Sequence, residues 1–451
     1  MRRHKPEAAA SPAEFGLSRR NLLCKFTAAG AATMNLLVTG ISNAEENTMA
    51  AERKSSRAPV PSDSYSRSSP LELSPGVRAG TSTIRTAEDA AARAVALAEE
   101  AGKQGTFAVG GLLVDESGRV IAEATNAVIR NDHLSDPTAH VERQLVDWLA
   151  HERRRGLSPS PRNVTIVSSL DPCAMCAGAI LRSGMRVIIV AEDNVAGVHE
   201  NLKPRHMPRE LQAQAQRDMA FFGVQGKRPR PAQVAPIFAS DVSAEHVARS
   251  TEIFSASLRE VQQRVGGGGS DAGPRIFEPA EGVFLNLREV AAQLGPLVEI
   301  GKGPLNIHEP ASRSELMKLL ARDGSVLVDE EGNVIVASKG AETISRARTS
   351  VLEVIRAYTF IRRTIKDRFN IALPLQRYCS IVKRAAPSEP AKGLLELGAT
   401  GSFLELQRPT NKLPAMGYMQ RANLTRAQEF AASLPQLYHD IGITVGQVGG
   451  G

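Results

Sequence analysis

Two short stretches hold the residue types that metal-assisted hydrolysis requires. The first is Asp136-Pro137-Thr138-Ala139-His140-Val141-Glu142, and the second is Asp171-Pro172-Cys173-Ala174-Met175-Cys176-Ala177-Gly178-Ala179-Ile180. A catalytic zinc takes three protein ligands and keeps its fourth position for water. His140, Cys173 and Cys176 are the three candidates. Glu142 is two residues from His140, and such positions do not share a helix face, so it suits a proton carrier beside the metal better than a ligand. Zinc lowers the pKa of a bound water towards about 7, which makes a hydroxide-like nucleophile available at neutral pH. Taken alone, Cys-x-x-Cys in an exported protein also reads as a redox pair or a disulfide. A lone His ahead of a helix is commonly structural. A His, a Glu two further on, a Pro and a Cys pair spaced by two, met together and in that order, favour the metal.

The elements around these residues must bring them together. Pro172 suits a first helical position, which predicts Cys173 and Cys176 at i and i+3 on one helix face. The N-terminus of that helix favours thiolate, the form a metal binds. Asp136 reads as an N-cap with Pro137 at the first helical position, so His140 is expected near the start of a second helix running to Arg155. Thr86 opens an Ala-rich amphipathic helix to about Gly102. Val109–Val114 and Arg119–Ala124 read as strands around the turn Asp115-Glu116-Ser117-Gly118, with further strands at Val164–Ser168 and Arg186–Ala191. Residues 231–262 resume a helical pattern. Strands alternating with helices predict an α/β layer fold, with metal and substrate at strand ends.

His-x-Glu followed by Pro-Cys-x-x-Cys is the signature of zinc deaminases that act on nucleobases. Over residues 84–200 the chain resembles the cytidine/deoxycytidylate deaminase superfamily, especially its tRNA-adenosine and guanine deaminase branch. Val109-Gly110-Gly111-Leu112-Leu113-Val114 and Asn126 add to the likeness. The resemblance implies a three-layer α-β-α fold with a mixed central sheet, zinc on His140, Cys173 and Cys176, and Glu142 as the catalytic proton shuttle. It also implies that Asn126, Ala139 and Pro172 contact substrate. The family commonly has Ala where Val141 stands, and the likeness lapses after Ala196-Gly197.

Four cysteines in 451 residues exclude a disulfide-stapled scaffold, and the length allows two or three domains. Residues 1–44 resemble a twin-arginine export signal: Ser18-Arg19-Arg20-Asn21-Leu22-Leu23, an Ala-rich apolar stretch, then Ser42-Asn43-Ala44. The stretch is too short and polar for a stable membrane anchor, so export to the periplasm or beyond is expected. The formal charge is +7, of which Arg2, Arg3, Lys5, Arg19, Arg20 and Lys25 less Glu7 and Glu14 supply +4. The remaining +3 is a weak footprint for nucleic acid. The basic residues Lys203, Arg205, Arg209, Arg217, Lys227, Arg228 and Arg230 either contact phosphates or form a solvated face. Residues 45–82 read as a linker, 83–262 as the catalytic domain, and 263–274 as a Gly-rich joint.

The second half echoes the first. Leu113-Val114-Asp115-Glu116-Ser117-Gly118-Arg119-Val120-Ile121 returns as Leu327-Val328-Asp329-Glu330-Glu331-Gly332-Asn333-Val334-Ile335. The echo sets Val351 in the place of His140, Ser388 and Ala391 in the places of the cysteines, and Gly340 in that of Asn126. None of the three replacements binds zinc as His and two thiolates do. Residues 275–445 are therefore read as a degenerate, non-catalytic copy, making a tandem pair whose halves pack on each other; homo-oligomer formation stays open. Cys379 reads as a buried apolar residue. The functional expectation is hydrolytic deamination of a small nucleobase, nucleoside or nucleotide. A secreted effector acting on nucleic acid and a non-catalytic binding module are the alternatives.

Overall fold

The computed structural model describes residues 74–194, 196–198, 207–225, 235–266, 323–329, 334–369, 379–383 and 389–405, with isolated positions elsewhere. Expectations for the export segment, for residues 45–73, for the joint beyond Gly266, and for Lys203, Arg205, Lys227, Arg228, Arg230 and Ser388 fall outside these residues, as does the Cys379 side chain.

The first half is built on a six-stranded sheet. In chain order its strands are β1 (Val77–Ala79), β2 (Gly110–Asp115), β3 (Val120–Thr125), β6 (Val164–Leu170), β7 (Arg186–Ala191) and β8 (Met219–Phe221), and their spatial order is β1-β3-β2-β6-β7-β8. The two short strands β4 (Ile129–Arg130) and β5 (His133–Leu134) pair separately. The β1–β3, β2–β3 and β2–β6 pairs are antiparallel, whereas β6–β7 and β7–β8 are parallel, so the sheet is mixed. Parallel neighbours need a crossover, and the cysteine-bearing helix α3 (Ala174–Ser183) supplies the one between β6 and β7.

Alternation along the strands sorts side chains into two apolar layers. Leu112, Val114, Val167 and Ile188 face helix α1 (Ala87–Lys103), with Phe222 and Phe238 closing that side. Thr86 caps α1 through a full capping box with Asp89. Leu113, Ile166 and Ile189 face the opposite layer, where Leu145 of helix α2 (Val141–Arg154) and Met175 of α3 lie. Helix α5 (Ala244–Gly266) sends Val247 and Ile253 onto the α1 side. The first half is thus an α-β-α sandwich, and α4 (Arg209–Asp218) leads into β8.

The described part of the second half holds a four-stranded sheet, β12 (Cys379–Lys383), β10 (Ser325–Asp329), β11 (Val334–Ser338) and β9 (Val298–Glu299), in that spatial order. The hairpin β10–β11 has its register shift between Leu327 and Val328, just as β2–β3 has one between Leu113 and Val114. Helix α6 (Ser350–Phe369) follows the hairpin and α7 (Pro390–Glu405) follows β12. Both pack into the layer that holds α2 and α3, through Leu352, Ile355, Tyr358, Leu394 and Leu395. Helices α3 and α7 approach so closely that a Cβ on Gly178 would meet the Leu395 backbone nitrogen at 2.4 Å.

Candidate metal centre

The strand β6 runs into the cysteine segment, where the helix starts later than the sequence suggests. Pro172 is not the first helical residue. Cys173 is the N-cap in extended conformation, its backbone bridges Gly197, and α3 opens at Ala174. The Ala177 N–H donates to the Cys173 carbonyl at 2.9 Å, which places Cys176 in the first turn. The second correction is at Asp136. Its carboxylate accepts from the Thr138 N–H at 2.8 Å and from the Thr138 hydroxyl at 2.6 Å, so it organises a turn rather than a helix start. The His140 N–H then donates to the Thr138 carbonyl at 2.8 Å, and the Ala139 carbonyl accepts from Ala127 N–H. With those groups spent, the helix begins only at Val141, and His140 is its N-cap.

These two turns bring the donors together. The ligand atoms of His140, Cys173 and Cys176 lie within 4.8 Å of one another. The Cys173 sulfur is 3.5 Å from His140 Nδ1. Both cysteines are buried and unbridged, while His140 keeps an edge open to solvent. Hydrogen bonding from Cys176 and the adjacent His140 hold the Cys173 thiol well below its usual range. Burial, with the Cys173 thiolate close by, pushes Cys176 well above it. His140 is raised: burial opposes its charge most strongly, but the charge and hydrogen bond of Cys173 together with the Glu142 carboxylate outweigh it. A thiolate, a thiol and an imidazole converging in a buried corner form the donor set of a three-ligand zinc site. The residues fit zinc, which keeps both sulfurs as thiolates.

Glu142 lies beside this group. Burial raises its carboxyl above the ordinary range, and it hydrogen-bonds to the Cys176 side chain. Its Oε1 accepts from the Ser168 hydroxyl at 2.6 Å, and that hydroxyl is also 2.8 Å from the Leu170 carbonyl. One hydroxyl hydrogen serves one acceptor at a time. Ser168 can therefore donate to an ionised Glu142, or accept from a protonated one while donating to Leu170. Sequence reasoning missed Ser168. Its only mark is parity: Ser168 shares the face of Ile166, which looks towards α2.

Asn126 is buried, and its Oδ1 accepts from the Thr106 hydroxyl at 2.7 Å and the Val128 N–H at 3.0 Å. These contacts fix the orientation of its amide. The Ala127-to-Ala139 hydrogen bond, at 3.0 Å, ties its segment to the His140 turn. Ala139 is fully buried, and the Pro172 carbonyl accepts from Val198 N–H at 3.2 Å. Of the basic run, α4 carries Arg209 and Arg217, and Arg217 pairs with neighbouring Asp218.

The backbone of the second half recasts the sequence echo. Ala341 N–H donates to Arg348 O, and Glu353 N–H donates to Thr349 O at 3.0 Å. That is the pattern that Ala127–Ala139 and Gln144–His140 make in the first half. By this register Thr349, not Val351, stands where His140 stands, and Val351 takes the place of Glu142. Gly393 N–H donates to Glu389 O as Ala177 N–H does to Cys173 O. Glu389 and Lys392, rather than Ser388 and Ala391, therefore occupy the cysteine positions. Matching like residues along the sequence misplaced the register because the connecting segments differ in length. Lys392 is paired with Glu342 at 2.6 Å and with Asp323, and Arg182 of α3 reaches Glu342 and Glu389. Among the described residues, His140, Cys173 and Cys176 form the only cluster suited to a metal.

Residues 84–192 match the family described as the cytidine and deoxycytidylate deaminase zinc-binding region. The chain is 37% identical over 105 residues to a tRNA-specific adenosine deaminase of Haemophilus influenzae, covering 23% of this chain and 57% of that protein. It is 34% identical over 101 residues to a probable cytosine deaminase of Schizosaccharomyces pombe, covering 22% and 57%. The chain thus spans little more than half the length of these relatives. A solved chain from studies of A-to-I editing by tRNA:A34 deaminases shares 25% identity, with a TM-score of 0.24, over 36% of this chain and 94% of that one.

Proposed function

We propose that this protein, whose residues 84–192 match the cytidine and deoxycytidylate deaminase zinc-binding region, hydrolytically removes the exocyclic amine of a small nucleobase, nucleoside or nucleotide. The observation that carries the proposal is the convergence of His140, Cys173 and Cys176 within 4.8 Å, with the Glu142 carboxyl against Cys176. Zinc bound there supplies Lewis-acid activation of a water molecule at neutral pH.

The chain's own residues do the rest. Glu142 accepts a proton from the attacking water and delivers it to the ring nitrogen next to the amine-bearing carbon. It then assists protonation of the departing amine, so that water adds one oxygen and ammonia leaves. A buried carboxyl whose affinity for protons is raised suits both taking and returning one. Ser168 holds that carboxyl in either state. Asn126, with its Oδ1 committed to Thr106 and Val128, presents its amide to the base, and Ala139 and Pro172 line the same site.

The second half belongs to this reading as a degenerate deaminase-like domain, supported by its matching hairpin irregularity and helix order. Lys392 and its acidic partners fill the equivalent of the metal corner, which supports a non-catalytic role. Twin-arginine export, read from Ser18–Ala44, places the substrate among scavenged small molecules rather than tRNA.

The test is ammonia release across bases, nucleosides, nucleotides and single-stranded RNA, with wild type beside Glu142→Gln. Ammonia from a small molecule with wild type alone supports the proposal. Release from RNA alone moves the substrate to nucleic acid. Turnover that survives Glu142→Gln overturns the mechanism.

A further inference from the structure

We propose that Arg356, on helix α6 in the second half of the chain, is a positioning residue for the metal ligand His140, acting through Asp136; this rests on the zinc reading of the site. The two oxygens of the buried Asp136 carboxylate have separate tasks. Oδ1 holds the Thr138 N–H and hydroxyl, at 2.8 and 2.6 Å, and so shapes the turn that delivers His140. Oδ2 accepts from Arg356 Nε at 2.8 Å, and Arg143 stands farther off at 3.4 Å. Arg143 is engaged elsewhere, donating to the Thr138 carbonyl at 2.6 Å and to Asp147 at 2.7 Å.

Arg356 is itself held. Its Nη1 donates to Glu353 at 3.1 Å, and Arg348 grips Glu353 with two hydrogen bonds of 2.9 and 2.6 Å. Every member of this chain is buried. A buried ion network is weak grounds for stability, since well-packed apolar groups often do as well. This one is aimed at a particular place: guanidinium to carboxylate, carboxylate to Thr138, Thr138 carbonyl to His140 N–H. Removing the guanidinium leaves a buried carboxylate short of a partner, and it must then turn or take up water, loosening the turn it shapes. The second half would thus reach the metal site through one side chain without touching metal or substrate.

The experiment measures zinc affinity of the full chain by competition with a chromogenic chelator, for wild type, Arg356→Met, Arg356→Lys and Lys383→Met. Lys383 pairs with Glu396 and Asp323 in the second half, away from Asp136, and serves as the control for general damage. Arg356→Met should weaken zinc binding about tenfold, the low end of what groups orienting a metal ligand contribute. Arg356→Lys should fall between it and wild type, and Lys383→Met should match wild type. Unchanged affinity in Arg356→Met overturns the proposal, as does an equal loss in Lys383→Met. If Arg356→Met does not fold, Arg356→Lys decides: one ammonium cannot reproduce both contacts, so weakened zinc binding in the folded protein is expected, and wild-type affinity refutes the role. Wild type that binds no zinc removes the metal reading itself, whereas zinc binding indifferent to Arg356 removes only the positioning role.

Discussion

Two glycines of the same helix should respond to alanine with opposite signs. Gly393 and Gly398 both lie in α7, and in an open helix Gly→Ala stabilises by up to about 1 kcal/mol. A Cβ on Gly393 meets nothing within 4 Å, so Gly393→Ala should show that gain. A Cβ on Gly398 would lie 2.0 Å from the Met175 nitrogen and 2.7 Å from Ala174 C and Met175 Cα. Those are backbone atoms of α3 and cannot swing aside. Restoring ordinary contact requires the helices to part by roughly 1.5 Å, and overpacking of this kind costs about 1–3 kcal/mol. Set against the propensity gain, Gly398→Ala should be destabilised by up to about 2 kcal/mol. Met175 sits between Cys173 and Cys176, so the same push should also weaken zinc retention. Urea unfolding midpoints at unchanged slope report the first effect, and chelator competition reports the second. If Gly398→Ala unfolds at or above the wild-type midpoint and keeps its zinc, the close crossing of α3 and α7 is wrong.

Ser168→Ala should keep its zinc and lower kcat about tenfold to a hundredfold, the worth of a hydrogen bond to a charged group; a kcat equal to wild type refutes the role of Ser168. Acid should unfold the chain through Asp136 and Glu353. Burial raises both carboxyls, but Arg356, with Arg143 or Arg348, holds them below their usual 3.8 and 4.5. Their contribution is complete above those values and is lost as pH falls through the lower folded ones. Arg356→Met removes the shared cation, so its acid-unfolding midpoint by circular dichroism should move to higher pH, and an unmoved midpoint contradicts the linkage.

The metal corner was legible because its chemistry is local in sequence: His140 and Glu142 lie two apart, Cys173 and Cys176 three. The central strands were legible because runs such as β2 and β6 are short, apolar and bounded by turn residues, whereas the three-residue edge strands were not: β1 lies in the stretch read as a linker, and β8 carries no such signal. Helix starts were misread where a side chain did something other than cap. Asp136 turned its carboxylate on Thr138, and Cys173 is the cap, one residue past the Pro172 that reads from sequence as the first helical residue. Ser168 and Arg356 were invisible for a different reason. Their partners, Glu142 and Asp136, lie 26 and 220 residues away in the chain, and only the packing of layers brings them into contact. The echo between halves was readable at Leu327–Ile335, but its register at the helices needed the backbone hydrogen bonds of Thr349 and Glu389.

The most direct measurement is metal content by native mass spectrometry on protein purified without chelator, for wild type, Glu142→Ala and Cys176→Ser. A single zinc per chain in wild type and in Glu142→Ala, and none in Cys176→Ser, is the expected result, since the described residues hold one cluster fit for a metal. Wild type carrying no zinc, or Cys176→Ser retaining it, would contradict the assignment of His140, Cys173 and Cys176 as the metal centre.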